Sequence, residues 1–473
     1  MARIAPRCSS GSIVTMKVLI CGAGQVGFGI AERLAAEDND VSVIDNSAEL
    51  VQRISDMLDV RGFVGHGSHP EVLDDAGARE ADMIIAVTLY DEVNMVACQV
   101  AHSLFNIPTK IARVRAQSYL EPHWRDLFSR ENMPIDVIIS PEIEVGEMVL
   151  RRLSLPGAFE TASFADGEVS VVGVICEEDC PVVDTPLEQL TELFPDLPAV
   201  VVGVVRNDQL FVPHGTDQLM VGDDAYFVAK TDQVDRTLAI FGHREKRARR
   251  VVIAGGGNIG FYVANRLEEL HESIRVKLIE SSRERALEIA DKLKRTVVLH
   301  GSALDQDVLR EADIDKSDTM VALTNDDQTN ILSCVMSNRL GCQRTLCLLN
   351  SVGYSSIVRS LGIDAQVNPR IITVSRVLQH VRRGRIRAVH SIHNGAGEVI
   401  EAEALETSPL VGQPLRDLDL PEGLRIGAIL RNGDVVTPSG STKIEAHDRV
   451  IIFVTAEHVR DVEQMFRVSL EFF

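Results

Sequence analysis

The sequence predicts an α/β protein in which two doubly wound parallel sheets alternate with two smaller α+β domains. A glycine-rich hexapeptide, GAGQVG at 22–27, returns as GGGNIG at 255–260, and each copy follows a short apolar run. Each copy opens a segment with apolar residues four apart, and a second apolar run then ends in an acid, Asp45 or Glu280. This order of strand, glycine turn, helix, strand and acid is the fingerprint of a dinucleotide-binding Rossmann fold. The chain carries that fingerprint twice.

Each fingerprint residue has a physical role. Gly22 permits a tight turn, Gly24 lets the backbone approach a pyrophosphate, and Gly27 lets the helix pack close to the strand. The helix N-terminus offers free N–H groups and a positive dipole end to phosphates. Asp45 is placed to bind the ribose hydroxyls of an adenosine and would repel a 2′-phosphate, which favours NAD(H) over NADP(H). The alternative for either copy is a Rossmann fold without its ligand. The second copy repeats the pattern with Gly255, Gly257, Gly260 and Glu280.

The two halves match well beyond the glycines. GHGS at 65–68 corresponds to LHGS at 299–302, and MIIAVT at 83–88 to TMVALT at 319–324. Strands that alternate with helical segments indicate a parallel sheet. We expect strands near 17–21, 41–45, 62–66, 83–88, 111–115 and 137–140, and again near 251–254, 275–280, 296–300, 319–324, 345–349 and 365–367.

A smaller domain follows each parallel sheet. In the first, a helix is expected from Glu142 to Leu153, and β-rich runs follow at 169–175, 200–205 and 223–229. Asp184 and the proline after it predict a short capped helix over 184–193. VRNDQLFVPHG at 205–215 predicts a hairpin, and each domain ends in a helical tail, near 231–241 and 456–467. The second domain repeats the hairpin at 430–440, where Asn432-Gly433 predicts a type I′ turn, and the run at 223–229 returns at 447–453.

Two basic runs and the N-terminus complete the organisation. HREKRARR at 243–250 is interpreted as a solvated linker, with a docking patch as the alternative, and RRGRIR at 382–387 is similar in kind. The first 15 residues lack the apolar segment of a signal peptide, so we expect a disordered extension or a true start at Met16. The expected parts are 1–15, a Rossmann domain at 16–141, a helix and α+β domain at 142–241, a linker at 242–250, a Rossmann domain at 251–370, and a helix and α+β domain at 371–473.

Composition excludes several functions. The net charge of −21 and an aromatic content of 4% argue against binding to nucleic acid or an anionic lipid surface. No apolar run approaches the ~20 residues of a transmembrane helix. The cysteines are expected to be core residues in a reducing cytosol. Cys176 and Cys180 form a pair without the further ligands that a structural metal site needs, so no metal site is expected.

Several polar residues are candidates for nucleotide contact because they follow strands. Thr88 and Thr324 are expected at the ends of the fourth strands, where a hydroxyl can reach the ribose or second base, although an ordinary strand-end threonine is the alternative. For Asp91 and Asp327 a helix N-cap is favoured. Arg113 and Arg115 end the fifth strand and can reach phosphate oxygens, whereas the second half has Leu348 and Asn350 there.

The sequence lacks groups for chemistry. His66 and His300 lie in the third-strand loops and are interpreted as loop hydrogen-bonders rather than bases. A dehydrogenase needs a substrate domain with a base facing the nicotinamide, and neither small domain supplies one. We therefore expect no catalytic residues and a sensor rather than an enzyme.

KVLICGAGQVG, Asp45, GHGSHPEVL, ADMIIAVT, DEVNMVACQVA and KIARVR together resemble the regulatory subunit family of Trk potassium-uptake systems, built from tandem RCK (regulator of potassium conductance) units. The likeness runs from residue 16 to about 468, so the Rossmann domains correspond to RCK-N and the small domains to RCK-C. It implies binding of NAD(H), and of ATP or ADP in some members. The implied first site comprises Gly22, Ala23, Gly24, Gln25, Val26, Gly27, Asp45, Thr88, Leu89 and Arg113, and the implied second site Gly255, Gly256, Gly257, Asn258, Ile259, Gly260 and Glu280.

The resemblance also implies partners and a place in the cell. It implies a homotetramer with a ring of eight RCK units, held from the cytoplasm against the inner face of the membrane by a Trk-type potassium pore. Nucleotide binding would change the ring and thereby control the pore. An RCK regulator of another cation transporter is the main alternative, and an NAD-dependent dehydrogenase is a weaker one.

Overall fold

A computed structural model describes residues 16–194, 199–244, 247–270, 273–381 and 386–466. The chain divides into two compact units, 1–140 and 141–473. The expected N-terminal extension lies outside the described residues, as do parts of both basic runs.

The first unit is a six-stranded parallel sheet flanked by helices. The spatial order β3-β2-β1-β4-β5-β6 is that of a dinucleotide-binding Rossmann fold. Its strands are β1 (Lys17–Cys21), β2 (Asp40–Asp45), β3 (Arg61–Val64), β4 (Met83–Ala86), β5 (Thr109–Arg113) and β6 (Val137–Ile139). Its helices are α1 (Gln25–Ala36), α2 (Ala48–Met57), α3 (Pro70–Asp75) and α4 (Asp91–Phe105).

Burial explains why these segments form a parallel sheet. All four residues of β4 are buried, because helices cover both faces of a parallel sheet. On α1 the residues spaced four apart, Ile30 and Leu34, are fully buried. The predicted amphipathic stripe is therefore the face that packs on the sheet.

The second unit begins with α5 and a five-stranded antiparallel sheet of order β10-β9-β11-β8-β7. In chain order these elements are α5 (Pro141–Ser154), β7 (Glu160–Phe164), β8 (Val169–Ile175), α6 (Leu187–Leu193), β9 (Ala199–Arg206), β10 (Gln209–Phe211), β11 (Asp224–Lys230) and α7 (Val234–Ile240).

A second parallel sheet repeats the order of the first, as β14-β13-β12-β15-β16-β17. Its strands are β12 (Arg250–Ala254), β13 (Arg275–Glu280), β14 (Val297–His300), β15 (Thr319–Ala322), β16 (Thr345–Leu348) and β17 (Ala365–Val367). Its helices are α8 (Asn258–Leu270), α9 (Arg283–Lys292), α10 (Gln306–Glu311), α11 (Asp327–Arg339) and α12 (Ser355–Ser360).

The chain ends in a second antiparallel sheet, of order β18-β19-β22-β20-β21. Its elements are α13 (Pro369–Val381), β18 (Ile386–Ile392), β19 (Gly397–Glu403), β20 (Leu424–Arg431), β21 (Asp434–Val436), β22 (Arg449–Thr455) and α14 (Val459–Met465). Both central hairpin residues, Asn432 and Gly433, have positive φ, as the predicted type I′ turn requires.

Helix α5 packs on the second parallel sheet, not only on the small domain that follows it. Val145 and Val149 of α5 are fully buried in the core that holds Ile253 and Leu278 of that sheet. Gly146 lies so close to Tyr262 of α8 that a Cβ there would be 2.3 Å from a ring carbon. This contact joins α5 to the second Rossmann domain.

The two antiparallel sheets share one hydrophobic core. Val171, Val202 and Val228 of the first sheet and Val399 and Ile451 of the second lie in a single buried cluster. Phe453 is fully buried there, and a Cβ on Gly203 of the opposite sheet would lie 2.5 Å from its ring. The sheets thus interlock through glycine on one side and a large ring on the other.

The structure confirms the fold class and corrects several local predictions. The fourth strands end at Ala86 and Ala322, two residues before Thr88 and Thr324. The helix predicted over 184–193 begins only at Leu187, because Asp184 has a positive φ and Pro186 occupies the N-cap without a side-chain bond. His300 is the last residue of β14 rather than a loop residue.

We expect Phe453→Ala to lower the free energy of unfolding by about 3–5 kcal/mol, because it removes a fully buried ring and leaves a cavity between two sheets. Urea denaturation followed by circular dichroism measures the change. Leu287→Ala is the matched control, since Leu287 is 64% exposed and its loss should change stability by less than about 0.5 kcal/mol. Equal effects of the two substitutions would contradict the shared core.

Candidate functional site

The first glycine loop has the geometry that its sequence predicts. Gly22 has a backbone φ of +113°, which residues with a side chain rarely adopt, and it begins the turn that follows β1. A Cβ on Gly27 would lie 1.8 Å from the carbonyl oxygen of Gly22, so α1 can approach the strand only with glycine there. A Cβ on Gly24 would meet nothing within 4 Å. The loop therefore packs closely against the strand at Gly27 and leaves open space at Gly24, at the N-terminus of α1.

The acid at the end of β2 holds this loop in place. One carboxylate oxygen of Asp45 accepts a hydrogen bond from the backbone N–H of Ala23 at 2.7 Å, and the other accepts one from Ser47 at 2.9 Å. Sequence reasoning assigned Asp45 to ribose hydroxyls and missed this structural role. Each oxygen retains a lone pair, so the two roles are compatible.

The second glycine loop repeats the first at atomic detail. Gly255 has φ +101°, and a Cβ on Gly260 would lie 1.9 Å from the carbonyl oxygen of Gly255. Gly257, like its counterpart, has open space where a Cβ would be. Glu280 accepts hydrogen bonds from the N–H groups of Gly256 and Ser282, both at 2.7 Å.

A hydrogen bond from an arginine to the loop carbonyl distinguishes the second loop, although an arginine packs over the equivalent ring in both halves, Arg53 over Phe28 in the first. Arg285 of α9 donates from Nε to the carbonyl oxygen of Gly256 at 2.9 Å and packs over the ring of Phe261. The N–H of Arg285 donates to the N-cap Ser282, and in the first unit the N–H of Leu50 donates to the N-cap Ser47 in the same way. Leu50 is therefore the residue of the first unit that corresponds to Arg285. The second loop lacks a counterpart of Arg113 but has a guanidinium on its other side, which the sequence comparison missed.

A buried asparagine organises the edge beside the first loop. Asn94 of α4 is fully buried and accepts hydrogen bonds from the N–H and hydroxyl of Thr88, at 2.8 and 2.7 Å. Its amide nitrogen donates to the carbonyl oxygen of Arg113 at 2.9 Å. The Arg113 guanidinium in turn donates to the carbonyl oxygen of Thr88 at 2.6 Å. The structure thus brings Thr88 and Arg113 together, while Leu89 beside them is 72% exposed.

The second unit has the same network without the arginine. Asn330 accepts hydrogen bonds from the N–H and hydroxyl of Thr324, at 2.9 and 2.7 Å, and donates to the carbonyl oxygen of Leu348 at 3.0 Å. The predicted equivalence of Leu348 with Arg113 is therefore correct. The sequence carried a signal for both asparagines, since each closes the repeated segments 89–94 and 325–330.

The prediction that Asp91 and Asp327 cap their helices is wrong. Tyr90 and Asp326 occupy the N-cap positions. Asp91 instead accepts hydrogen bonds from the N–H groups of Arg115 and Ala116, at 2.9 and 2.8 Å. Asp327 does the same for Asn350 and Ser351, so each aspartate fixes the chain that leaves the fifth strand.

The remaining sequence candidates, a loop histidine and the cysteines, make structural contacts. His66 hydrogen-bonds Ser68 at 3.0 Å and stacks on His69, as expected for a loop histidine. Cys21, Cys98 and Cys334 are buried in the cores, and burial raises the pKa of Cys21 to about 12. Among the described residues no group of three or more histidine, cysteine, aspartate or glutamate side chains could hold a metal ion. In the same parts of the chain, no helix is both long and apolar enough for a membrane crossing.

Two domain families match the chain in alternation. The TrkA-N domain matches residues 18–141 and 251–369, and the TrkA-C domain matches 171–242 and 399–467. The chain is 65% identical to the Trk system potassium uptake protein TrkA of Azorhizobium caulinodans, over 97% of this chain and all of that protein. It is 42% identical to the protein of the same name from Halomonas elongata, over 97% of this chain and all of that one.

Solved structures share the fold at lower identity. The GsuK RCK domain covers 98% of both chains with a TM-score of 0.59 and 18% identity. The GsuK channel bound to NAD matches 98% of this chain and 81% of that one, with a TM-score of 0.58 and 18% identity.

We expect Gly27→Ala to destabilise the first unit by about 3 kcal/mol or more, because the added Cβ would overlap the carbonyl oxygen of Gly22. Thermal unfolding measures the loss. Gly24→Ala is the matched control: its Cβ enters open space, so it should cost less than about 1 kcal/mol. Equal melting temperatures for the two variants would contradict the described packing.

Proposed function

The chain belongs to the TrkA family of Trk-system potassium uptake proteins, and from that premise we propose that it is the nucleotide-binding subunit that regulates a Trk-type potassium pore. It binds NAD(H) at its glycine loops, and this binding changes the conformation of an assembly that contacts a membrane partner. Its role is regulation rather than catalysis.

The observation that carries this proposal is the pair of open glycine loops, each set on a helix N-terminus and braced by an acid. Free N–H groups at a helix start bind phosphate, and the acid suits the ribose of an adenosine. The GsuK channel, which has been solved bound to NAD, supports the same ligand for this fold. ATP and ADP carry the same adenosine and phosphates and are proposed competitors.

The proposed contacts differ between the two sites. In the first, the loop residues 22–27 hold the pyrophosphate, Asp45 the ribose, and Thr88, Leu89 and Arg113 the far part of the dinucleotide. In the second, residues 255–260 hold the pyrophosphate and Glu280 the ribose in the same way. Because Arg113 has no counterpart there and Arg285 lies against the loop instead, we propose that the two sites differ in ligand preference.

Control of the pore requires that nucleotide favour one conformation of the assembly over another. A ligand shifts an equilibrium only by its difference in affinity for the two states. A change from 1:99 to 99:1 needs about 5.5 kcal/mol, which several equivalent sites can share. We propose a homotetramer whose eight RCK units form a ring and pull on the pore from the cytoplasmic side of the membrane.

The second candidate function is regulation of another cation transporter by the same ring. The GsuK channel supports this second candidate, because its match to this chain shows the same fold in a channel protein outside the Trk systems. Purification of the chain from native membranes identifies its pore. Recovery of a transporter other than a Trk pore would replace the first proposal with the second.

Gly24→Ala should weaken NADH binding to the first site at least about tenfold, because the methyl group fills the space where the pyrophosphate approaches. Gly257→Ala should do the same at the second site. Isothermal titration of the full chain with NADH measures both, and each variant controls for the other. If the double variant bound NADH as the unsubstituted chain does, the glycine loops would not be the sites.

Nucleotide should change transport several-fold when the chain is assembled with a Trk pore in lipid vesicles. Rubidium uptake is measured with the unsubstituted chain and with the Gly24→Ala and Gly257→Ala double variant, each with NADH, ATP or no nucleotide. The unsubstituted chain should respond to nucleotide and the double variant should not. Uptake that is the same with and without nucleotide would contradict the regulatory role.

A further inference from the structure

A large cavity in the second unit is separate from both glycine loops. It measures about 930 Å³, within the ~300–1,000 Å³ range of small-molecule sites. Its wall comes from α5, β7 and β11, from the segment that runs through β17 into α13, and from β18. Elements of three domains therefore meet around it, and none of its lining residues belongs to a glycine loop.

Four residues of its wall each have a buried polar side-chain atom without a hydrogen-bond partner among the residues that the structure describes. These atoms are Nε of Arg151, Nε of Arg152, Oε1 of Gln366 and Nδ2 of Asn368. Buried polar groups nearly always have partners, and an unmet group costs about 1–3 kcal/mol. The polar groups of these four side chains are thus incompletely satisfied by the protein, at the edge of a cavity large enough for a ligand.

The carboxylates of the wall differ from the arginines because protein groups already bind them. Glu160 of β7 accepts hydrogen bonds from Tyr226 and from His390, both at 2.9 Å. Glu144 pairs with Arg376 at 3.1 Å, and Asp364 accepts a hydrogen bond from the N–H of Thr345 at 2.7 Å. The unsatisfied groups are thus mainly donors, and two of them are cationic.

The two arginines are adjacent in the last turn of α5. Burial lowers the pKa of the Arg152 guanidinium to about 10, and it also lowers that of Arg151. Burial without a bound anion is unfavourable for a guanidinium, whose planar donors match phosphate oxygens. The carboxylates of Glu160, near Arg152, and of Glu147 and Glu144, near Arg151, offset part of this cost, and an anion in the cavity would give both guanidinium groups a further partner.

We propose that this cavity is a separate ligand site for a small phosphate-bearing organic anion of nucleotide size, with Arg151 and Arg152 on the phosphate. Gln366 and Asn368 lie on the same wall and supply an acceptor and a donor for the organic part. Because the wall joins α5, the second Rossmann domain and both antiparallel sheets, a ligand there would bridge domains. The site stands independently of nucleotide binding at the glycine loops.

AMP is the probe, and the Gly24→Ala and Gly257→Ala double variant of the full chain is the background, so that the glycine loops do not contribute. Titration calorimetry should detect AMP binding in this background. Adding Arg151→Gln or Arg152→Gln should weaken it at least about tenfold, since a charged hydrogen bond is lost. Adding Arg236→Gln should leave it unchanged, because Arg236 is exposed on α7 outside the cavity. Adenosine should bind at least about tenfold more weakly than AMP.

Asn368→Asp keeps the test valid if the arginine variants fail to fold. The Asn368 side-chain oxygen accepts a hydrogen bond from the N–H of Ile371 at 3.1 Å, and aspartate preserves that bond. It replaces the unmet donor with a carboxylate oxygen and should therefore weaken AMP binding while the melting temperature is kept. No AMP binding in the glycine background, binding that these substitutions leave unchanged, or equal binding of adenosine would each overturn the proposal. Failure of NADH to bind the unsubstituted chain would overturn only the function proposed for the glycine loops.

Discussion

The contact between the first and last glycines of each loop is the constraint on which the candidate sites depend. Gly27 and Gly260 lie so close to the carbonyl oxygens of Gly22 and Gly255 that only a hydrogen fits between them. That closeness places the first turn of α1 or α8 directly over the end of its strand. The helix N-terminus, the open middle glycine and the bracing acid then face the same point. A wider separation would leave the helix dipole and the acid too far apart to serve one ligand.

The two halves share the hydrogen bonds that hold the glycine loop and the strand ends, and they differ in the arginines beside the loop. The acids, the buried asparagines and the aspartates that hold the fifth strand make the same hydrogen bonds in both halves. The arginines that hydrogen-bond to backbone carbonyls of the sites differ between the halves. Arg113 is tied to the Thr88 carbonyl in the first half, whereas Arg285 approaches the loop from α9 in the second. The groups that shape the fold are thus common to the halves, and the groups that would choose a ligand are not.

The small domains show the same division between frame and variation. Arg206 pairs with Asp223 and Arg431 with Asp448, at 2.6 and 2.7 Å, so each sheet has one nearly buried aspartate held by an arginine. The two sheets bury a single core between them, so each covers a face that the other would otherwise expose. The ion pair between Arg449 and Asp166 links the same two domains at 2.6 Å. In this tandem chain, each small domain therefore packs against the other as the two halves of a pseudo-symmetric pair.

The sequence by itself determined the fold class, the position of each parallel-sheet strand along the chain and the glycine geometry, because period, turn residues and a terminal acid are local properties. It placed both ends of every strand in the parallel sheets to within two residues. It could not determine which of two adjacent acids caps a helix: Asp327 binds the distant residues Asn350 and Ser351, and only folding brings them together. Nor could it show that Arg151 and Arg152 end beside Gln366 and Asn368, more than two hundred residues away. Tertiary structure decided those encounters, since they depend on how α5 and α13 pack and not on any pattern within a single segment.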